Sequence, residues 1–480
     1  MSPPNPRNGI PIYEYAGQDV AIMGLGKSGM TAARALSNTG TRVHAWDDNP
    51  ALREAAKAEG ITVTNLADLS DRRNEWPNMA AVIWSPGIPH THPQAHPVAR
   101  IAREKGIPLL CDVELLVRAQ RDCFFVGITG TNGKSTTTAL IGHILTKAGH
   151  PTRVGGNLGI PALSLAPLPF YGTHVLELSS YQLELTPSLD CDVAVLLNIT
   201  PDHLNRHGGM EGYTLAKRHI FDGGCGPHWA VVGIDDDPTR KVFEDLKRLG
   251  RHRLIPISTQ SAPKRGVSAV DGMLVDNIDG RKPKEILDLL EIESLPGEHN
   301  WQNAAAAYAA CRARGVAPGK IAEAMRTFPG LPHRQELVAE ISGVRFINDS
   351  KATNAEAADK ALCCYENIYW IAGGQAKEGG IASLEPHFEH MRHAFLIGEA
   401  AQSFEQVMRG KVTTHRAGDL TKAVKQAADL AWREGHEEAV VLLSPACASW
   451  DQFQSFEHRG DTFRDLVSKL HAPKDKGARK

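Results

Sequence analysis

The chain has 480 residues and a formal net charge of -2, with 53 Lys and Arg against 55 Asp and Glu. At roughly 100–200 residues per domain, this length predicts about three domains. The balanced charge carries no broad basic field to argue for nucleic acid, and no nucleic-acid partner is expected, but it excludes little else because small anions are held by local groups. No apolar run reaches the ~18 residues of a membrane span, and the opening MSPPNPRNGI has no apolar signal core. The expected compartment is the cytoplasm, without membrane insertion. The eight cysteines show no CxxC and no metal-type spacing, so they are read as reduced thiols, several of them buried. The two ends, MSPPNPRN and HAPKDKGARK, read as frayed tails.

Short apolar runs alternate with helical stretches, the pattern of α/β layers on parallel sheets. The first block, residues 1–118, has strand-like runs at Val20 to Met23, Val43 to Trp46, Ala80 to Trp84 and Ile107 to Leu110. Gly24-Leu-Gly26-Lys-Ser-Gly29 follows the first run and opens a helix, and Asp47 ends the second. Such a loop lets the backbone approach a diphosphate, of a dinucleotide or of a UDP-sugar. Asp47 is placed to accept a hydrogen bond from a ribose or a uracil. The plainer alternative is a tight turn packed on a helix.

The second block, residues 119–330, opens on Phe124, Phe125 and Val126 and carries the strongest chemical signal, Gly127-Ile-Thr-Gly130-Thr131-Asn132-Gly133-Lys134-Ser135-Thr136. Strand, glycine loop, Lys-Ser and helix form the context of a phosphate-binding loop. Backbone N–H groups wrap a polyphosphate, aided by the helix N-terminus. Lys134 reaches the outer phosphates, and the Ser135 hydroxyl suits Mg²⁺. Ile128 stands where the common spacing has glycine, so this is the shorter form of the loop. Further strands are predicted at Val175 to Leu178, Val193 to Leu197 and Trp229 to Gly233. Residues 251–295, with turn signals at Asp271-Gly272 and Asp279-Gly280, read as a hairpin insert or edge element, and an Ala-rich helix begins near Trp301. Phe328 to Arg334 (FPGLPHR) reads as a linker.

In the third block, residues 331–480, the runs Val344 to Ile347, Ile368 to Ala372, Ala394 to Ile397 and Val440 to Leu443 are each followed closely by Asp, Gly or Ser. Ligands collect at the carboxyl ends of such strands.

The segments GTNGKST, LELSSYQLE (Leu176 to Glu184), NITPDHLNRH (Asn198 to His207), GEHNWQNAAAA (Gly297 to Ala307), LPHRQE (Leu331 to Glu336) and NDSKATN (Asn348 to Asn354) resemble the Mur ligases in order and spacing. LSPACASWDQF (Leu443 to Phe453), followed by FEHRG, resembles the glutamate-adding branch. The resemblance spans nearly the whole chain. It implies an α/β protein of three domains: an N-terminal Rossmann-like domain for a UDP moiety, a central P-loop ATPase-type parallel sheet for ATP, and a C-terminal Rossmann-like domain for the incoming amino acid. The implied reaction uses ATP to make an acyl phosphate on UDP-N-acetylmuramoyl-L-alanine, which the amine of D-glutamate then attacks, in peptidoglycan synthesis. A monomer working on small molecules alone is expected.

The resemblance also implies residue roles. Asn300, Asn303, Arg334 and Asp349 join the loop around ATP. Lys27, Ser28, Asp47, Asp48, Ser85, Gly87, Asn157 and Ser179 serve the UDP-muramoyl end. Lys351, Thr353, Lys377, Ser449, Trp450 and Phe456 serve glutamate. Two Mg²⁺ sites are implied, one on Ser135 and Glu177 and one on His203. Lys217 by composition is an ordinary surface lysine. By resemblance it is a carbamylated lysine that ligates the second metal, and with Lys134 and His203 it forms the catalytic group.

A folylpolyglutamate-synthase-like ligase shares the ATP loop, but the N-terminal glycine motif and SPACASWDQF argue against it. An NAD-dependent oxidoreductase leaves the phosphate loop without a job. A nucleotide sensor has no use for Lys134, Glu177, His203 and Lys217 together.

Overall fold

A computed structural model describes residues 9–66, 78–157, 159–223, 228–376 and 379–471. The tails and Lys377 lie outside these residues. The described residues form sheets of four, nine and six strands. Two compact units emerge: residues 1–289 with 300–327, which hold the first two sheets, and residues 290–299 with 328–480, which hold the third.

In the first sheet, β1 (Asp19–Met23), β2 (Arg42–Trp46), β3 (Met79–Trp84) and β4 (Leu109–Leu110) are ordered β2-β1-β3-β4, all parallel. The strand order reverses between β1 and β3, so the loops after these two strands face a common crevice. The glycine loop after β1 is tight for steric reasons. Gly24 has φ +93, and a Cβ there would lie 2.4 Å from Ser85 Oγ. A Cβ on Gly29 would lie 1.8 Å from the Gly24 carbonyl oxygen. Gly26 is different, with no protein atom within 4 Å of its Cβ position.

The second sheet contains β5 (Phe124–Thr129), β6 (Thr152–Gly156), β7 (Thr173–Glu177), β8 (Val193–Leu196), β9 (Trp229–Gly233), β10 (Arg253–Ser258), β11 (Val267–Val270), β12 (Met273–Asp276) and β13 (Lys284–Asp288). Its order is β13-β12-β11-β10-β9-β8-β5-β7-β6. From β5 the chain winds one way through β7 and β6 and the other way through β8 and β9, which sets the loop after β5 at the switch point. The turn Asp271-Gly272 joins β11 to β12 antiparallel, and Asp279-Gly280 lies between β12 and β13. The segment read as a hairpin is therefore the antiparallel edge of this sheet. A continuous buried core runs from Ile10 through Val82 and Leu116 to Leu176 and Leu246, so the first two sheets share one core.

The third sheet, β14 (Glu336–Ile341), β15 (Val344–Asn348), β16 (Ile368–Gly373), β17 (Met391–Ile397), β18 (Thr413–Gly418) and β19 (Val440–Leu443), is ordered β14-β15-β19-β16-β17-β18, and only β14 is antiparallel. Ile368, Trp370 and Ala372 pack on one face while Tyr369 and Ile371 pack on the other. A strand covered on both faces reads as an unbroken apolar run. Among the described residues no helix is long and apolar enough to cross a membrane.

The glycine-loop packing yields a stability test. Gly29→Ala drives a methyl into backbone and is expected to lower stability by roughly 2 kcal/mol or more, whereas Gly26→Ala is expected to stay within about 0.5 kcal/mol of the parent. Chemical-denaturation midpoints of the two variants check this.

Candidate functional site

The phosphate loop is built by its neighbours as much as by its own glycines. Gly133, at φ +82, precedes the helix Lys134–Lys147, and a Cβ there would lie 2.1 Å from Asn303 Oδ1. Asn303 is buried, accepts from Thr137 Oγ1 at 3.2 Å and donates to Asn300 Oδ1 at 3.0 Å. The two asparagines share one helix face, as their spacing predicts, and pack beneath the loop. Thr131 Oγ1 donates to the Thr200 carbonyl at 3.1 Å and lies 3.2 Å from Tyr213 Oη, while Asn132 N–H donates to Asn198 Oδ1 at 2.9 Å. Lys134 Nζ folds over the loop, donating to the carbonyls of Gly130 at 2.9 Å and Thr131 at 2.7 Å. Lys217 Nζ donates to the same Gly130 carbonyl at 2.7 Å. Ser135 is buried and Thr136 half-buried in the first helical turn.

Glu177 ends β7 in the same unit and is buried. Its Oε1 accepts from Asn157 Nδ2 at 2.7 Å, and its Oε2 is buried without a hydrogen-bond partner. An unpaired buried acceptor costs about 1–3 kcal/mol, and more when charged. A hard cation satisfies such an oxygen, so Glu177 and the Ser135 hydroxyl fit Mg²⁺. Asn157, assigned from sequence to the UDP substrate, is here the group that orients this carboxylate. Gly156, at φ +95, lets the chain pass within 2.4 Å (Cβ position to carbonyl oxygen) of Glu177.

Lys217 is 1 % exposed, with Nζ 4.6 Å from the Tyr213 ring centroid. Burial pushes its amine well below the usual lysine range, and the Lys134 charge pushes it further. His203 sits in the left-handed region at φ +52, 3.4 Å from Asp202. Burial lowers its ring, and the charges of Lys217 and Lys134 act in the same direction. Lys134, Lys217 and His203 thus share one electrostatic neighbourhood. Among the described residues no group of three or more His, Cys, Asp or Glu has metal-holding geometry.

One network in this unit joins residues of two motif segments to which sequence patterns assign no individual role. His207 Nε2 lies 2.9 Å from Ser180 Oγ and its Nδ1 3.1 Å from Glu184 Oε1, while Glu184 Oε2 lies 3.1 Å from His90 Nε2. Burial pushes the Glu184 carboxyl up, but the hydrogen bonds of His207 and His90 outweigh it and leave it at about 2. Tyr181 stacks on His207 at 5.2 Å, and Arg206 lies over Tyr181 and donates to the Gly87 carbonyl at 2.8 Å. The loop after β3 is thereby tied to the helices that flank Glu177 and His203.

The candidates of the glycine-loop crevice have structural partners as well. Asp47 Oδ2 accepts from Leu25 N–H at 2.7 Å and Oδ1 from Asn49 N–H at 2.7 Å, which fastens the loop to β2. Asp48 accepts from Trp46 Nε1 at 3.1 Å with its side chain 70 % exposed. Ser85 Oγ donates to the Gly24 carbonyl at 3.2 Å, and Ser28 sits beside buried Asp112. Lys27, exposed, opens the helix Lys27–Ser37. Ser179 caps the helix Ser180–Leu183 through a capping box with Gln182.

In the other unit, the loops after β15, β16 and β19 lie at one carboxyl edge. Asp349 follows β15. Its Oδ2 accepts from Ser444 Oγ at 2.8 Å and its Oδ1 from Gln335 N–H at 3.2 Å, and burial pushes the carboxyl up to about 7. The charge of exposed Arg334 bears on the same carboxyl. Lys351 Nζ lies 4.0 Å from the centroid of Phe456. Thr353 is half-buried and Ser449 buried, but Trp450 is 67 % exposed. Beneath these loops lies fully buried Arg459, which donates to the carbonyls of Ser350 at 2.8 Å and Cys447 at 3.1 Å. Only its place in the FEHRG stretch marks it in the sequence.

The chain is similar to known proteins along most of its length. The Mur ligase middle domain matches residues 128–311, and the Mur ligase glutamate ligase domain matches residues 333–447. The chain is 66 % identical over 461 residues to UDP-N-acetylmuramoylalanine--D-glutamate ligase of Rhodospirillum rubrum, covering 96 % of each protein. It is 56 % identical to the protein of the same name from Paramagnetospirillum magneticum, over 95 % of this chain and 97 % of that one. In fold it is similar to a pseudomurein peptide ligase type C from Methanothermus fervidus, with TM-score 0.56 and 18 % identity over 95 % of this chain and 100 % of that one. It is likewise similar to UDP-N-acetylmuramate-alanine ligase from Thermotoga maritima, with TM-score 0.55 and 17 % identity over 94 % and 99 %. The chain belongs to the Mur ligase family.

Proposed function

We propose that the chain joins D-glutamate to UDP-N-acetylmuramoyl-L-alanine at the expense of ATP, releasing ADP and phosphate, in peptidoglycan synthesis. The observation that carries this reading is the intact phosphate loop in a chain matched along 96 % of its length by a glutamate-adding relative. The reaction sets a carboxylate beside a triphosphate, a like-charge clash that the site must offset. Lys134 swings from the loop carbonyls to the transferring phosphoryl group, and the loop N–H groups hold the polyphosphate. The carboxylate attacks the γ-phosphorus and ADP leaves. The glutamate amine then attacks the acyl phosphate, expelling phosphate and forming the amide. Ser135 and Glu177 would hold one Mg²⁺ and His203 with Lys217 a second, and the ions would supply charge neutralisation.

The remaining roles follow the same reading. Asn300, Asn303, Arg334 and Asp349 serve the nucleotide, and the Gly24–Gly29 loop with Lys27, Ser28, Asp47, Asp48, Ser85 and Gly87 serves the UDP moiety. Asn157 and Ser179 act at the muramoyl end by orienting Glu177 and its flanking helix. Lys351, Thr353, Lys377, Ser449, Trp450 and Phe456 serve glutamate, with the domain limits 1–118, 119–330 and 331–480. The protein works as a cytoplasmic monomer. Lys217 is carbamylated: a buried, neutral amine adds CO₂, and the carbamate is a hard oxygen ligand where an ammonium would repel the metal.

Phosphate release from ATP should require both UDP-N-acetylmuramoyl-L-alanine and D-glutamate, and L-glutamate should not replace the latter. Release that ignores either co-substrate would overturn the reading. In the same assay Lys134→Ala should lose about 10²-fold or more in kcat while folding normally.

Lys217→Ala should be nearly inactive and regain part of its activity with acetate, and the parent should weaken when bicarbonate is stripped. Full activity of Lys217→Ala without added carboxylate would remove the carbamate from the scheme. Thr353→Ala should raise the glutamate KM about tenfold, the value of one charged hydrogen bond, and leave the UDP-substrate KM within about twofold. Steady-state kinetics with each substrate varied in turn provide the check.

A further inference from the structure

Cys363 and Cys364 take no part in the scheme above. Cys363 is exposed and caps the helix Ala355–Leu362, and Cys364 is half-buried. Their sulfurs are 4.0 Å apart, and both face the Lys360 carbonyl, at 3.4 and 3.1 Å. Four of the other described cysteines, Cys111, Cys191, Cys311 and Cys447, are buried. A tetrahedral centre with ~2.3 Å bonds to sulfur holds its two sulfurs roughly 3.8 Å apart, so the pair is spaced for one with little movement. A direct disulfide needs ~2.05 Å, about half the distance present.

The surroundings favour a cation. The hydrogen bond from Cys364 draws the Cys363 thiol down to about 7, and His387 adds to the effect, so a thiolate is available near neutral pH. Asp359 and Lys360 face the same thiol, and His387 Nε2 is held 2.7 Å from Asp359 Oδ1. Hydrogen bonding to Cys363 pushes Cys364 the other way, so its proton leaves only as a metal arrives.

We propose that Cys363 and Cys364 form a two-thiol site for a thiophilic divalent cation of the Zn²⁺ or Cd²⁺ kind, and that filling it weakens nucleotide use. The cation replaces two thiol protons, forming two metal–sulfur bonds, and no electron changes hands. The coupling runs through Gly297. Cys364 Sγ lies so close that a Cβ on Gly297 would sit 2.6 Å away, and Gly297 leads directly into the helix Glu298–Ala313, which carries Asn300 and Asn303. A metal bonded to both sulfurs fixes the position of Cys364 Sγ, the atom against which Gly297 packs, and so resets Gly297. This second part rests on the nucleotide role proposed for Asn300 and Asn303.

The test is to titrate Cd²⁺ into the full chain in excess Mg²⁺, which fills hard oxygen sites first. A thiolate-to-metal ultraviolet band should saturate at one equivalent and be absent from the Cys363→Ser/Cys364→Ser variant. The same equivalent should raise the ATP KM about fivefold or more in the parent, leave the glutamate KM unchanged, and have no effect on the variant. The band is read without turnover, so it tests the site whether or not the nucleotide assignment holds. No band at several equivalents, or a band that survives the double substitution, overturns the site. A band with an unchanged ATP KM overturns the coupling. Cys363→Ser alone, at an exposed position, makes the same comparison if the double variant folds poorly.

Discussion

Two lysine amines, from Lys134 and Lys217, point at one carbonyl oxygen, that of Gly130. A peptide carbonyl is a weak anchor for two positive charges, and burial together with the Lys134 charge drives the Lys217 amine toward its neutral form. Much of the surrounding structure holds this pair in place. Tyr213 lies against both Thr131 and Lys217, and Asn198 and Thr200 clamp the loop from the end of β8. Glu177 answers from β7 with one oxygen fixed by Asn157 and the other left without a partner. Side chains fixed in this way provide electrostatic preorganisation, in which the dipoles are set before the chemistry begins.

The central motif was readable because its chemistry is local. Gly130, Gly133, Lys134 and Ser135 stand within six residues, and the strand before and helix after them have clear apolar patterns. The buried parallel strands were readable for the same reason. β6, β14 and β18 were not, because TRVGG, ELVAEI and TTHRAG mix polar residues or glycine into sheet-edge positions that only partners in space define. Within the site, local patterns leave out the partners that a side chain finds in space. Asn157 reads as a turn residue or a substrate contact, and its hydrogen bond to Glu177 has no mark in the sequence. Ser180, Glu184 and His207 stand in the segments LELSSYQLE and NITPDHLNRH, but their pairing with each other and with His90, 94 positions before Glu184, is set only in space.

The third sheet shows the same economy. Asp349, Ser350 and Ser444 are buried at the strand ends, and Arg459 supports their backbone from below. Buried polar groups are generally bonded, and most of these are, although Arg459 Nη1 has no hydrogen-bond partner. Trp450 and Arg334 are exposed.

The contact between Gly133 and Asn303 also restricts how the protein can change. Asn303 Oδ1 occupies the space that any side chain at 133 would need, and Gly133 already has a backbone that other residues resist. Position 133 therefore cannot gain a side chain while Asn303 keeps its place. The order of change is fixed: Asn303 must first give up its amide before position 133 can accept even a methyl group. A constraint at the start of the central block is thus set by a residue near its end.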